Sequence, residues 1–424
     1  MKNVYLSFFF LLMLTMTVLS QSSADTLRLS DLLKELQEEN PKVKALLHQW
    51  KAQEAAIAPA GALPDPQIGI NFLNLPVNSF AFDQEAMTGK QISFMQYFPF
   101  PGKLGLKENI ARDDARIAHE RYQEGLNQLR MLVKQTYYDI YYIDKAIEIT
   151  KKNADILIQF IKIAETKYTV GRGLQQDVLR AQVEHSRMMD KIIALENRRD
   201  VLVARLNYLL SRPPASPVQH TARLKELPFP MKLEDLRELA VANRPLLKAW
   251  QFQVEKQQKA VRLAKKEYLP DFKLAIAYTQ RDALRTGGKG VDFISGLFTI
   301  KVPLYFWKKQ RKIVEQRQYQ QISAQQEYEN LRNQILSEVE STWSSLEKSW
   351  QLIDLYRTGI IPQATQSLNS AIAGYQTDKV DFLTLLNNQI TLYNYEMDYH
   401  RILSEYYKSI ARMEFVIGQD ILNY

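Results

Sequence analysis

The sequence predicts an elongated mixed α/β protein, with long coiled-coil helices and four short strands laid out as an internal tandem repeat. Three observations carry that prediction. Residues 103–167 and 305–357 are long runs without proline. A pair of short alternating segments precedes each run. The stretches YTVGRGLQQDVLRAQ (168–182) and YQTDKVDFLTLLNNQ (375–389) align without a gap at an offset of 207 residues. Self-similarity on this scale marks a duplicated unit rather than two unrelated domains.

The chain opens MKNVYLSFFFLLMLTMTVLSQSSA, with Lys2 before an apolar run from Leu6 to Leu19 and then small polar residues. This is the pattern of a secretory signal peptide, residues 1–20, and the run is shorter than the roughly 20 residues a spanning helix needs. No later stretch is long and apolar enough for a transmembrane helix. Any further membrane contact is therefore at the surface or through a β-barrel. Cysteine is absent, which excludes disulfides, thiolate metal sites, a cysteine nucleophile and a cysteine-linked lipid. The formal charge of +8 comes from interspersed acids and bases, the pattern of a solvated surface and not of a nucleic-acid groove.

The first helix is expected from Ser30 as N-cap, interrupted at Asn40 and Pro41, and ending before PAGALPDP (59–66). Strands follow at 67–75, where Ile68, Ile70 and Phe72 alternate with Gly69 and Asn71, and at 90–98. From Lys103 to Lys167, Leu126, Leu129, Val133, Tyr137, Ile140, Leu157 and Ala164 keep three-four spacing, with a break at Thr150 or Lys151. Such a helix is roughly 100 Å long and needs coiled-coil partners. Gly171 and Gly173 mark a turn, helix resumes to Leu210, and 211–230 is a proline-rich linker. The second unit, 231–424, repeats the order. It has a helix bent at Arg244 and Pro245, strands at 272–280 and 293–304 around a GGKG hairpin turn, and a helix from Tyr305 pausing at GIIPQ (359–363). A final helix runs to Ile417. The first unit is 21–210, with its helical hairpin at 103–210; the second hairpin spans 305–417. Each long arm needs an equally long return. Adding lengths in chain order joins 175–210 to 233–267 and 381–417 to 31–57. Four strands cannot close a barrel in lipid, but three chains supply twelve.

The ordered pieces NPKV, LPDPQIGI, QYFPFPGK, YTVGRGLQQDVLRAQVE, NRPLLKAW, YLPDFKLAIAY, IKVPLYFWKKQR and YQTDKVDFLTLLNNQITLYN span nearly the whole mature chain. In these the sequence resembles the TolC-like outer-membrane efflux proteins of Gram-negative bacteria. The resemblance implies a homotrimer, a twelve-stranded outer-membrane β-barrel and a long periplasmic α-helical tunnel. It also implies a periplasmic adaptor (membrane fusion protein) and an inner-membrane pump as partners, and outer-membrane lipid around the barrel. The protein is then a passive exit duct, with no cofactor, no nucleic-acid partner and no enzymatic activity.

In this family the periplasmic mouth commonly narrows at acidic residues, and the matching positions here are the neutral Thr384 and Asn387. Asp378 and Asp381 lie about one turn earlier and are candidates for that role; as a turn residue and a helix-start charge they also have a purely structural reading. Gly171, Arg172, Gly173 and Lys379 are the candidate adaptor-contact tips. Tyr97, Phe98, Tyr268, Tyr305, Phe306 and Trp307 fall at strand and helix junctions, where membrane-interface aromatics are expected. His48, His119, His185, His220 and His400 are dispersed, with no metal or catalytic spacing. A structural coiled-coil protein of the envelope is the alternative; it explains the helices but not the paired strands.

Overall fold

In the computed structural model, residues 26–422 are described, and the expected signal segment 1–20 lies outside them. Helices α1 (Leu29–Glu39), α2 (Pro41–Ala55) and α3 (Ile57–Gly61) lead into strands β1 (Gln67–Leu73) and β2 (Gly89–Phe98). Next come α4 (Lys103–Thr169), α5 (Gln175–Leu210), α6 (Leu233–Asn243) and α7 (Pro245–Lys266). Strands β3 (Asp271–Gln280) and β4 (Phe293–Lys301), α8 (Gln310–Leu355), α9 (Ile361–Gln376) and α10 (Phe382–Ile417) complete the order. None of the described helices is long and apolar enough to cross a membrane.

Helix α4 has 67 residues and is uninterrupted, about 100 Å long. Its buried stripe includes Leu126, Leu129, Val133, Tyr137, Ile140, Leu157 and Ala164. The helix is continuous as expected, and Thr150, where the apolar series lapses, is nonetheless buried. The Thr150 hydroxyl donates back to the Ala146 carbonyl at 2.6 Å and meets the Tyr393 hydroxyl, so its polarity is satisfied inside the helix seam.

The expected pause at 359–363 is absent. Residues Tyr356–Ile360 form one turn of π-helix that joins α8 to α9 without a gap. Pro362 has no N–H and its ring clashes with the carbonyl four residues back; widening the turn just before it relieves that clash.

The strands expected at 67–75 and 293–304 end earlier, at Leu73 and Lys301, and three helix boundaries move. Ser30 is not the N-cap: α1 starts at Leu29 behind Arg28, which offers no side-chain cap, because Leu27 is held by a bond from its N–H to the His220 carbonyl. The helical path also reaches Gly61, since Pro59 sits in the first turn of α3, where a missing N–H costs little. Residues 305–309 form tight turns, and helix begins only at Gln310. The first turn of α8 has no acid to complement the helix dipole.

The returns to the long arms are exchanged relative to the order of the chain. Helix α5 ends at the α1–α2 joint, where the Asn40 side-chain amide donates to the Leu209 carbonyl at 2.7 Å and Arg212 pairs with Glu35. Helix α10 ends at the α6–α7 joint, where Arg244 donates to the Phe415 carbonyl at 2.6 Å and Gly418 lies against Asn243 and Pro245. The lower half of α4 is flanked by α5 and α10, and its upper half by α2 and α7. Counting lengths in chain order paired the wrong segments because both joints have the same length and kink. Asn40 caps α2, and Pro245 occupies the equivalent first turn of α7.

Candidate functional site

The two ends of the molecule carry the functional candidates. At one end the strands form an antiparallel sheet in the order β1-β2-β3-β4. The register sets Ile70, Ile92, Tyr278 and Ile294 abreast on one face, with Ile68, Phe94 and Ile276 in another row of that face. The opposite face carries Gly69, Ser93, Ala277 and Ser295 in one row and Asn71, Gln91, Thr279 and Phe293 in the next. Asn71 donates to Gln91 at 3.1 Å and Gln91 to Thr279 at 3.0 Å, a ladder of polar bonds across three strands.

The apolar face is bare: Ile68, Ile70 and Ile294 are 75, 73 and 75 % exposed. A two-faced sheet of this kind, apolar outside and polar inside, is the wall of a transmembrane barrel. Within the chain, β1 and β4 pair on one side only, leaving two open edges.

A polar knot ties the foot of the sheet to the helices. Asp271 at the start of β3 accepts from the Tyr97 hydroxyl at 2.6 Å, the Phe100 N–H at 2.8 Å and the buried Lys103 ammonium at 2.8 Å. Phe98 lies opposite Phe272, and Tyr268 meets Phe306 at 6.3 Å between ring centres. Tyr305, Phe306 and Trp307 are exposed in the turn below β4. The sequence-selected aromatics therefore gather at one level, at the base of the sheet. Sequence reasoning missed Lys103 and Asp271; the signal was a lysine beginning a long helix after PFPG and an acid beginning a strand after YLP.

At the other end the two repeat turns meet. Arg172 N–H bonds to the Lys167 carbonyl at 2.8 Å, and Lys379 N–H to the Gly374 carbonyl at 2.9 Å, equivalent positions 207 residues apart. Gly171 and Asp378 hold the same left-handed site, with φ of 73° and 60°. Asparagine and aspartate tolerate that region better than other side chains, though less well than glycine. Gly173 allows a close approach, since a Cβ there would lie 3.0 Å from the Tyr168 nitrogen.

The tips are joined by Lys167 from the last turn of α4. Its ammonium donates to the Tyr375 carbonyl and the Asp378 carboxylate, and sits 4.5 Å from the centre of the Tyr375 ring. The hydrogen bond from Lys167 holds the Asp378 carboxyl below the usual range. Asp381 caps α10, accepting from the Thr384 N–H at 2.7 Å, and hydrogen bonding to Thr384, through its side chain first and then its N–H, lowers the Asp381 pKa.

Gly171, Arg172, Gly173, Asp378, Lys379 and Asp381 all line one hollow of about 730 Å³ between the tips. Thr384 and Asn387 lie outside its lining, exposed on the next turns of α10. Lys167 was missed from sequence, where a single lysine before a turn gives no signal of its own.

Comparison with known proteins places these two ends in a family frame. The model of the family described as "Outer membrane efflux protein" matches residues 32–212 and 236–419. The chain is 19 % identical over 387 residues to the cobalt-zinc-cadmium resistance protein CzcC of Cupriavidus metallidurans, covering 90 % of this chain and 87 % of that one. Among solved structures it resembles the outer membrane protein VceC of Vibrio cholerae, with TM-score 0.77 and 15 % identity over 93 % of this chain and 97 % of that one. The likeness to CusC has TM-score 0.79 and 12 % identity over 92 % of each chain.

Proposed function

The chain belongs to the outer membrane efflux protein family, and from that membership we infer that it is the passive outer-membrane exit duct of a tripartite efflux system. One observation carries the mechanism: a two-faced sheet whose two edges are both open. Open edges are not tolerated in hydrocarbon, so β4 of one copy pairs with β1 of the next until the ring closes. Three copies give twelve strands, turning the apolar face to lipid and the Asn71, Gln91 and Thr279 face to water. The same symmetry carries the long arms into a helical tunnel below.

In this assembly the paired tips are the periplasmic mouth. Threefold symmetry repeats Asp378 and Asp381 around the axis, and carboxylates repeated in this way favour cations. Arg172 and Lys379, with Gly171 and Gly173 shaping the first tip, present the surface that an adaptor's helices would meet. Thr384 and Asn387, exposed on α10 outside the hollow between the tips, are neutral polar groups and add no charge to the mouth. The duct performs no chemistry, and the pump supplies energy and cargo selection.

The test has two stages. Membrane fractionation and size analysis in detergent should give a trimer from the outer membrane, and bilayer reconstitution should give ion conductance. A soluble monomer without conductance would favour the structural envelope protein instead. Replacing Asp378 and Asp381 with Asn should lower cation selectivity; unchanged selectivity leaves them as turn and cap residues only.

A further inference from the structure

The two crossings from sheet to long helix occupy equivalent places in the repeats, yet they differ in charge and exposure. In the first, Phe98 to Lys103, the lysine is buried and neutralised by Asp271 and by Glu267 at 3.4 Å. In the second, Val302 to Lys312, Leu304, Tyr305 and Trp307 are 66, 71 and 55 % exposed. There the chain reads KKQRK from Lys308, and Lys308, Lys309, Arg311 and Lys312 are all exposed. Of these four, Lys312 pairs with Glu315 at 2.7 Å and Arg311 acts on the same carboxylate from farther away, one acid among four cations. Lys301, at the foot of β4, adds a further exposed cation.

The placement is locally unfavourable. Lys309 is the residue before α8, the first helical turn contains no acid, and cations there oppose the helix dipole. An external anion would relieve both the mutual repulsion and the dipole. The patch continues directly from Ile294, Phe298 and Ile300 on the apolar face of the sheet, so that anion would lie at the edge of the bilayer. Exposed aromatics beside cations at this level match the boundary between acyl chains and phosphates.

We propose that the turn from Leu304 to Lys312 binds the headgroup of an anionic glycerophospholipid in the leaflet facing the periplasm. Lys308, Lys309 and Arg311 hold the phosphate, while Tyr305 and Trp307 lie against the glycerol and upper acyl chains. This rests on the reading of the sheet as a membrane-spanning wall. The bound lipid would fix the level at which the tunnel leaves the membrane.

The full chain is purified in detergent micelles doped with phosphatidylglycerol, or with phosphatidylcholine of identical acyl chains, and bound lipid is counted by native mass spectrometry. The test variant is K308Q/K309Q/R311Q. The control K34Q/K42Q/K51Q removes the same charge from exposed sites on α1 and α2. Wild type and control should retain phosphatidylglycerol in preference to phosphatidylcholine. Each cation near an anionic headgroup is worth about a factor of five, so the test variant should lose one to two orders of magnitude in that preference. Equal retention of the two lipids by wild type, or retention of neither, overturns the proposal while leaving the barrel intact; the membrane reading itself fails only if the chain is a soluble monomer without conductance. A test variant that loses its trimer in lipid-free detergent shows that these cations face a neighbouring copy, which also overturns it. Competition by millimolar inorganic phosphate alone points to a free-anion site and overturns the lipid assignment.

Discussion

His400 makes the seam between α4 and α10 sensitive to acid. Its ring lies against Tyr141, 3.3 Å from the hydroxyl, and edge-on to Tyr399. Burial, with Lys145 as the next contribution, pushes the imidazole from its usual 6.5 down to about 4. Glu148 and Glu226 act in the opposite direction, and Arg223 adds to Lys145. The folded protein thus keeps this ring neutral down to about pH 4, while the unfolded chain takes up a proton near pH 6.5. Between those values the unfolded state binds more protons, so stability is complete above pH 6.5 and falls as the pH drops toward 4. At about 1.4 kcal/mol per pKa unit, the loss at pH 4.5 is about 2–3 kcal/mol per chain. The measurement is thermal unfolding by circular dichroism at pH 7.5 and 4.5, for wild type and His400→Gln in the same detergent. Glutamine does not titrate, so the stability difference between the two proteins should move by that amount in favour of the variant at pH 4.5. A difference that is the same at both pH values refutes the burial argument.

Two further perturbations test the joints and the faces. Asn40 caps α2 through its carbonyl oxygen, at 2.8 Å from the Lys42 N–H, and donates its amide to the Leu209 carbonyl. Asn40→Ala removes both and should cost about 2–3 kcal/mol in equilibrium stability; a loss below about 0.5 kcal/mol would mean that α5 does not depend on this joint. On the sheet, Ile276→Arg places a charge on the apolar face and should reduce assembly in the outer membrane, at about 2–4 kcal/mol per chain. Ser295→Arg, on the opposite face of the neighbouring strand, should assemble and shift conductance toward anions. Equal assembly of both variants contradicts the face assignment.

The long arms were legible because α4 needs little beyond periodicity. Leu126, Leu129 and Val133 repeat at the spacing a seam requires, and no proline intervenes. The strands were legible for the same reason, with Ile68, Ile70 and Phe72 on one face. The partners of each arm were not. Whether α5 is continued by α2 or by α7 depends on a bond from Asn40 to a carbonyl 169 residues away, and nothing local encodes that. Local rules also failed at Pro362, where one wide turn absorbs a residue that otherwise breaks a helix. At the tips, Asp378 and Asp381 were visible as charges, but the Lys167 contact joins separate hairpins and exists only in the folded chain.

The duplication explains why the two tips are not interchangeable. In the first, glycine occupies the left-handed position at no steric cost, and the following helix starts at Gln175 behind Leu174, which offers no side-chain cap. In the second, Asp378 occupies the same position, and Asp381 caps the helix through Thr384. An aspartate in a left-handed turn is worse than glycine by sterics alone. It is retained here in contact with Lys167, which belongs to the other hairpin. Both turns close on their own backbone bonds, and the second is in addition tied to the first hairpin through Lys167. Any partner that displaces Lys167 acts on the second tip, the one that carries Asp378 and Asp381 and that is proposed above as the acidic part of the mouth.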